Sequence, residues 1–95
     1  MASAIPYLRS MTAPPANSNA ALAVELMDAR DAARTGRGAH IRRAASLSQG
    51  DIARACGVDA STVSRWEAGE RKPTGEAGRA YGRVLRAVAE GLAGT

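Results

Sequence analysis

The stretch QGDIARACGVDASTVSRWEAG, Gln49 to Gly69, decides the fold. Ser48, just ahead of it, offers a hydroxyl to the unpaired amides of a helix start, and Asp51 puts a carboxylate in the first turn, where the helix dipole favours it. The pattern predicts a helix over Gln49 to Cys56, closed by Gly57, because glycine takes the left-handed backbone of a helix end without steric cost. Asp59 then caps a second helix that begins at Ala60 and ends near Gly69. Two short helices three residues apart must cross steeply, which requires a small side chain where their axes approach. Ala53 stands there, four residues before the turn glycine, and Ile52, Cys56, Val58, Val63 and Trp66 fall where apolar groups must point into the angle.

On the C-terminal side, Pro73 stops continuation and Thr74 caps again. Ala77, Ala80, Tyr81, Val84, Leu85, Val88 and Leu92 then lay an apolar stripe along a final helix of roughly four to five turns. On the N-terminal side, Ala39 to Ala45 reads as a short helix ending at Ser46-Leu47. Before it, AALAVELMDARDAARTG carries Leu22, Leu26, Ala29 and Ala33 at helical spacing until Gly36 and Gly38 interrupt it. Its charged residues Glu25, Asp28, Arg30, Asp31 and Arg34 fall mostly off that stripe, as on a solvated face. Residues 1–18 hold three of the four prolines and have the composition of a flexible arm, in which Tyr7, Leu8 and Arg9 are the side chains able to dock elsewhere. The expectation is an all-α, compact bundle of about five helices: an arm over 1–18, an additional helix over 19–35, and the two-helix unit with its C-terminal helix over 36–95.

Composition limits the function. The chain has 95 residues, three aromatic residues and no Phe, so one small core built from Ala, Leu, Val and Ile is expected, and such residues favour close-packed helices. The formal charge is +4. Arg9, Arg30 and Arg34 balance Glu25, Asp28 and Asp31 in the first 35 residues, so all of the surplus lies beyond them, which points weakly to a polyanionic partner. A single cysteine, Cys56, gives no internal disulfide, and no Cys or His cluster offers a metal site. No leader-like or membrane-spanning apolar run is present, so cytoplasmic residence is the expectation, with no cofactor. One His and one Cys, without paired buried carboxylates, provide no nucleophile–base arrangement, and an enzyme is not expected.

Taken together, Arg42 to Pro73, with LSQ, IA, GV, STVSRWE, AG and R.P in order, resembles the Cro and phage-repressor-like helix-turn-helix family. The resemblance implies a lambda-repressor-like DNA-binding fold in which the helix from Ala60 to Ala68 lies in the major groove of double-stranded DNA. Matched residue by residue, it makes Ala60, Ser61, Ser64 and Arg65 the expected base contacts. Arg65 has the planar fork that bonds guanine O6 and N7, with a phosphate contact or a solvated side chain as its alternative. The two serines can donate or accept, and Ala60 can only pack. The resemblance also makes Gln49 a phosphate contact, where a helix N-terminus suits an anion in any case. Thr62, Arg71 and Lys72 are further phosphate candidates, with Arg43 and Arg54 as additions. Glu67 would repel phosphate unless engaged, and the family supplies a structural partner at the position of Arg42.

Other residues read more plainly. Trp66 belongs to the core rather than to base stacking, Cys56 is a core thiol, and His40 sits at a surface or helix end. The helix before LSQ departs from the family in being short, with Ile41 as its sole large aliphatic; packing of Leu22, Leu26 and Met27 from the additional helix is expected to compensate. The leading functional expectation is a sequence-specific, homodimeric transcriptional regulator, a Cro-like repressor on a palindromic operator, with too little chain for a separate ligand-sensing domain. The stripe Tyr81, Leu85, Val88 and Leu92 is a candidate dimer surface, or simply core. The alternative is an antitoxin or protein-interaction module that uses the same motif for autoregulation.

Overall fold

The computed structural model describes residues 19–94. The arm expected over residues 1–18 lies outside the described residues. Five helices follow one another: α1, Asn19–Thr35; α2, Arg37–Ala44; α3, Gln49–Cys56; α4, Ala60–Glu67; and α5, Gly75–Ala93. The chain is all-α over this range, with no strand among the described residues.

Local chemistry sets most of the boundaries. Only Gly36 of the expected glycine pair breaks the chain, at φ 82°. Gly38 lies buried inside α2, so this helix starts two residues before the expected Ala39. Arg37 braces the corner, its Nη2 3.1 Å from Asp28 Oδ1 and 3.4 Å from Asp31 Oδ2. At the start of α3, the Ser48 hydroxyl accepts from the Asp51 amide at 2.9 Å while Asp51 Oδ2 accepts from the Ser48 amide at 2.8 Å. This reciprocal box satisfies two amides that a helix start leaves unpaired. The bonds from Ser48 hold the Asp51 carboxyl below its ordinary value. Asp59 and Thr74 stand at their cap positions with extended backbone, but neither side chain makes the cap bond. The Asp59 carbonyl instead accepts from the Thr62 amide at 3.0 Å.

Three helices end in the same way. The amides of Leu47, Val58 and Glu70 donate to the carbonyls of Arg42, Ala53 and Arg65 at 3.0, 3.0 and 2.9 Å. Such a closure turns on one residue in the left-handed region. Gly57 and Gly69 supply it at φ 76°, and at the end of α2 it falls on Ser46, at φ 60°.

The core gathers Ile52, Ala53 and Cys56 of α3, Val63 and Trp66 of α4, and Tyr81 and Leu85 of α5. The rings of Trp66 and Tyr81 lie 4.9 Å apart, tilted by 47°. From α1 the buried contribution is Ala29, Ala32 and Ala33, which corrects the expected role of Leu22, Leu26 and Met27. Leu22 and Leu26 are only half-buried, and Met27 is 65% exposed. The reason lies on α5, where Gly78 and Gly82 interrupt the apolar stripe. A Cβ on Gly82 would sit 2.9 Å from the Glu25 carbonyl oxygen, and one on Gly78 would sit 2.7 Å from the Pro73 backbone. α1 therefore seats its backbone against Gly82, beside Ala29, while Gly78 leaves room for Pro73 and for the side chain of Leu26.

Two stability measurements check this account. Gly→Ala in a helix interior ordinarily stabilises by up to about 1 kcal/mol. Gly91→Ala, where an added Cβ meets nothing within 4 Å, should follow that rule in urea denaturation, whereas Gly82→Ala should destabilise because backbone stands in the way. Ser46→Gly should raise stability by about 0.5–1 kcal/mol, the left-handed strain released less the chain entropy glycine adds; an unchanged melting temperature would refute that strain.

Candidate nucleic-acid interface

α4 is only eight residues long, too short to hold its shape alone, so its position is set by what grips it. Val63, fully buried, and Trp66, 3% exposed, fix its inner face. Its C-terminal end is held by Glu67. Arg42 Nε donates to Glu67 Oε2 at 2.6 Å and Arg42 Nη2 to Oε1 at 2.9 Å, a two-pronged pair. The third guanidinium nitrogen, Nη1, donates to the Leu47 carbonyl at 3.0 Å, and Gln49 Nε2 donates to Glu67 Oε1 at 2.9 Å. The side chains of the pair are 12% and 7% exposed. One carboxylate thus ties α2, the α2–α3 connection, the start of α3 and the end of α4.

Burial by itself would raise the Glu67 carboxyl, but the hydrogen bonds from Arg42 and Gln49 outweigh it and hold the group below its ordinary value. The same pairing raises the Arg42 guanidinium, against the opposing effect of burial. Tyr81 lies behind this network with a buried hydroxyl that has no hydrogen-bond partner. Burial, with the negative field of Glu67, pushes it up to about 12. Burial likewise pushes up the Cys56 thiol, which keeps it protonated and unreactive.

The opposite face of α4 is open. Ala60, Ser61 and Arg65 are exposed, and Thr62 and Ser64 are half-buried. Arg71 and Lys72 are exposed in the α4–α5 loop, which follows α4 directly. Gln49 stands half-buried at the start of α3; with one amide N–H given to Glu67, it retains a second N–H and its carbonyl oxygen. Arg54 pairs with Asp51 at 2.5 Å. His40 is exposed on α2. Of the cations on this side, Arg43, Arg65, Arg71 and Lys72 make no ion pair among the described residues. Those of α5 do: Arg79 and Arg83 meet Glu76, Arg83 also meets Glu25, and Arg86 lies 3.6 Å from Asp28.

Arg30, on a face expected to be solvated, instead donates from Nε to the Pro73 carbonyl at 2.9 Å. That bond fastens α1 to the loop carrying Arg71 and Lys72. The partners are 43 residues apart, and no local pattern announces such a bond. Gly78 and Gly82 were the available signal for a close approach on α5, as glycines inside a helical stripe.

The packed pair α3–α4, with its solvent-facing second helix and a cationic loop behind it, defines a domain built to present α4 to a partner. The helix-turn-helix family model matches residues 39–90, more than half of the chain, and the protein belongs to that family, of the Cro and repressor type. Its function is of the DNA-binding, transcription-regulator kind. α1 lies outside the matched residues. No curated protein and no solved structure matches the chain. No helix among the described residues is long and apolar enough to cross a membrane.

The lowered Glu67 carboxyl binds its proton more weakly in the folded chain than in the unfolded one. It therefore contributes stability above the ordinary value of 4.5, and that contribution is lost as pH falls through the folded value. Glu67→Gln should cost about 3 kcal/mol at pH 7, because it leaves Arg42 buried without a counter-charge. It should also flatten the acid limb of the stability–pH curve below about 4.5. Denaturation curves between pH 3 and 7 measure both; an acid limb as steep as wild type would refute the role given to Glu67.

Proposed function

We propose that the chain is a sequence-specific DNA-binding regulator that acts as a Cro-like homodimeric repressor, with α4 in the major groove of a palindromic operator. The observation that carries this reading is the division of α4 into a clamped inner face and an open outer one. Small side chains at Ala60, Ser61 and Ser64 let the helix backbone approach the base edges closely, and Arg65, exposed and without an ion pair among the described residues, suits the directional contact.

In this reading Ala60, Ser61, Ser64 and Arg65 meet bases, and Gln49, Thr62, Arg71 and Lys72 meet phosphates, which set register without reading sequence. Glu67 holds the Gln49 amide beside the start of α3, where helix amides favour an anion. The two-fold axis must place two α4 helices about one DNA turn, roughly 34 Å, apart. Tyr81 and Leu85 are core residues, which leaves the C-terminal end of α5, around Val88 and Leu92, as the proposed dimer contact.

Selection of binding sites from a random duplex pool tests the reading. It should yield a palindrome with half-sites about 10 bp apart; no enrichment at low or moderate salt would sink it. Arg65→Ala should relax preference at one base position by about 1–3 kcal/mol. Lys72→Ala should weaken all sequences alike and reduce the salt slope by about 1. Uniform losses from both would refute the division of roles.

A further inference from the structure

A groove of about 640 Å³ runs between α1 and the α4–α5 loop, within the size range of small-molecule sites. Its walls include Leu26, Met27, Trp66 and Pro73. Met27, at 65%, is the most exposed large hydrophobic side chain among the described residues, and in the open groove that apolar surface faces water.

The charge around this apolar floor is one-sided. Arg30, Arg34, Arg71 and Lys72 line the groove against a single carboxylate, Asp31. Asp31 is already neutralised, with Arg34 at 2.6 Å and Arg37 at 3.4 Å. Arg30 is anchored through Nε to the Pro73 carbonyl, while Arg71 and Lys72 have no ion pair among the described residues. An apolar trough with unpaired cations at one side matches neither a neutral hydrocarbon nor a simple inorganic ion. It matches an organic anion with an apolar tail.

We propose that this groove binds an organic carboxylate whose tail lies along Leu26, Met27 and Pro73 and whose charge is met by Arg71 and Lys72. Resting on the DNA reading above, a second consequence follows. The carboxylate occupies the cations assigned to phosphate, so ligand and DNA oppose one another, and by linkage each lowers the affinity of the other equally. The sensor is then formed between α1, outside the family-matched residues, and the loop behind the groove helix.

Trp66, the only tryptophan, lies in the wall and reports occupancy. Octanoate is titrated into the whole protein without DNA, and the emission of Trp66 is followed alongside far-UV helicity. The expected result is a saturable change at constant helicity. Affinity should tighten about fourfold per methylene from hexanoate to decanoate, and 1-octanol should bind at least about tenfold more weakly than octanoate. Arg71→Ala with Lys72→Ala should cost about tenfold or more. Met27→Glu, at an exposed position, should abolish binding by placing a carboxylate in the trough. No saturation, octanol binding as well as octanoate, or a fluorescence change that tracks lost helicity overturns the proposal. So does an octanoate affinity that falls as protein concentration rises, the sign that a second copy fills the groove. On a selected duplex, octanoate should release DNA from wild type and not from Met27→Glu; DNA binding unchanged at saturation overturns the opposition alone. Failure of the DNA reading itself appears separately, as no duplex binding without octanoate.

Discussion

A carboxylate at the C-terminal end of a helix opposes the helix dipole, and one removed from water pays a desolvation penalty as well. Glu67 is in both positions, and it stays ionised because Arg42 meets it with a two-pronged fork and Gln49 adds a third bond. Alternatives to that arrangement are costly, which is why it fixes geometry. A guanidinium that also binds the Leu47 carbonyl cannot shift without breaking several bonds, so the end of α4 is referenced to α2 and to the first residue of α3 together. Val63 and Trp66 set the depth of α4, and Glu67 sets its tilt.

The second constraint is a matter of distance. Gly82 lets α1 come down onto the backbone of α5, Gly78 makes room for Pro73 and the Leu26 side chain, and the alanines of α1 fill the narrow space that results. With α1 so close, Arg30 reaches across to the Pro73 carbonyl. The loop after α4 is therefore bracketed by Glu67 on one side and by α1 on the other. The same approach shapes the groove, whose wall includes Leu26, packed beside Gly78, and the exposed Met27.

The parts of the fold legible in the sequence are those written in a few neighbouring residues. Ser48 and Asp51 announce the start of α3, Gly57 the turn, and Ile52, Ala53, Val63 and Trp66 the contact between the two helices. Ser46 was not legible, since a serine gives no sign that its backbone must take the left-handed region. The seating of α1 was legible in part: Ala29 and Ala33 fall on the stripe that helical spacing gives and are buried, but alanine and glycine carry little amphipathic signal, and the larger Leu22, Leu26 and Met27 drew the expectation to themselves. Arg42 and Glu67 are 25 residues apart, and only the family resemblance joined them. On the interface, outward-facing positions of α4 follow from helical period, while the tie between Gln49 and Glu67 depends on tertiary placement that no spacing encodes.

Charge shows most clearly what folding adds. In the sequence the surplus of +4 is spread over everything beyond residue 35. In the folded chain Arg79, Arg83 and Arg86 of α5 are matched by Glu76, Glu25 and Asp28, two of them from α1, whose three acids, Glu25, Asp28 and Asp31, outnumber its two arginines, Arg30 and Arg34. Pairing across α1 and α5 thus removes the C-terminal helix from the basic surface. Arg43, Arg65, Arg71 and Lys72, which make no ion pair among the described residues, lie on α2, α4 and the loop behind α4. Exposed Asp59 and Glu70 sit at the two ends of α4 and temper this field, so it is the placement of these four cations, rather than the net charge, that orients the domain toward a polyanion. A chain of the same composition with the α5 arginines unpaired would be as basic and would have no preferred face.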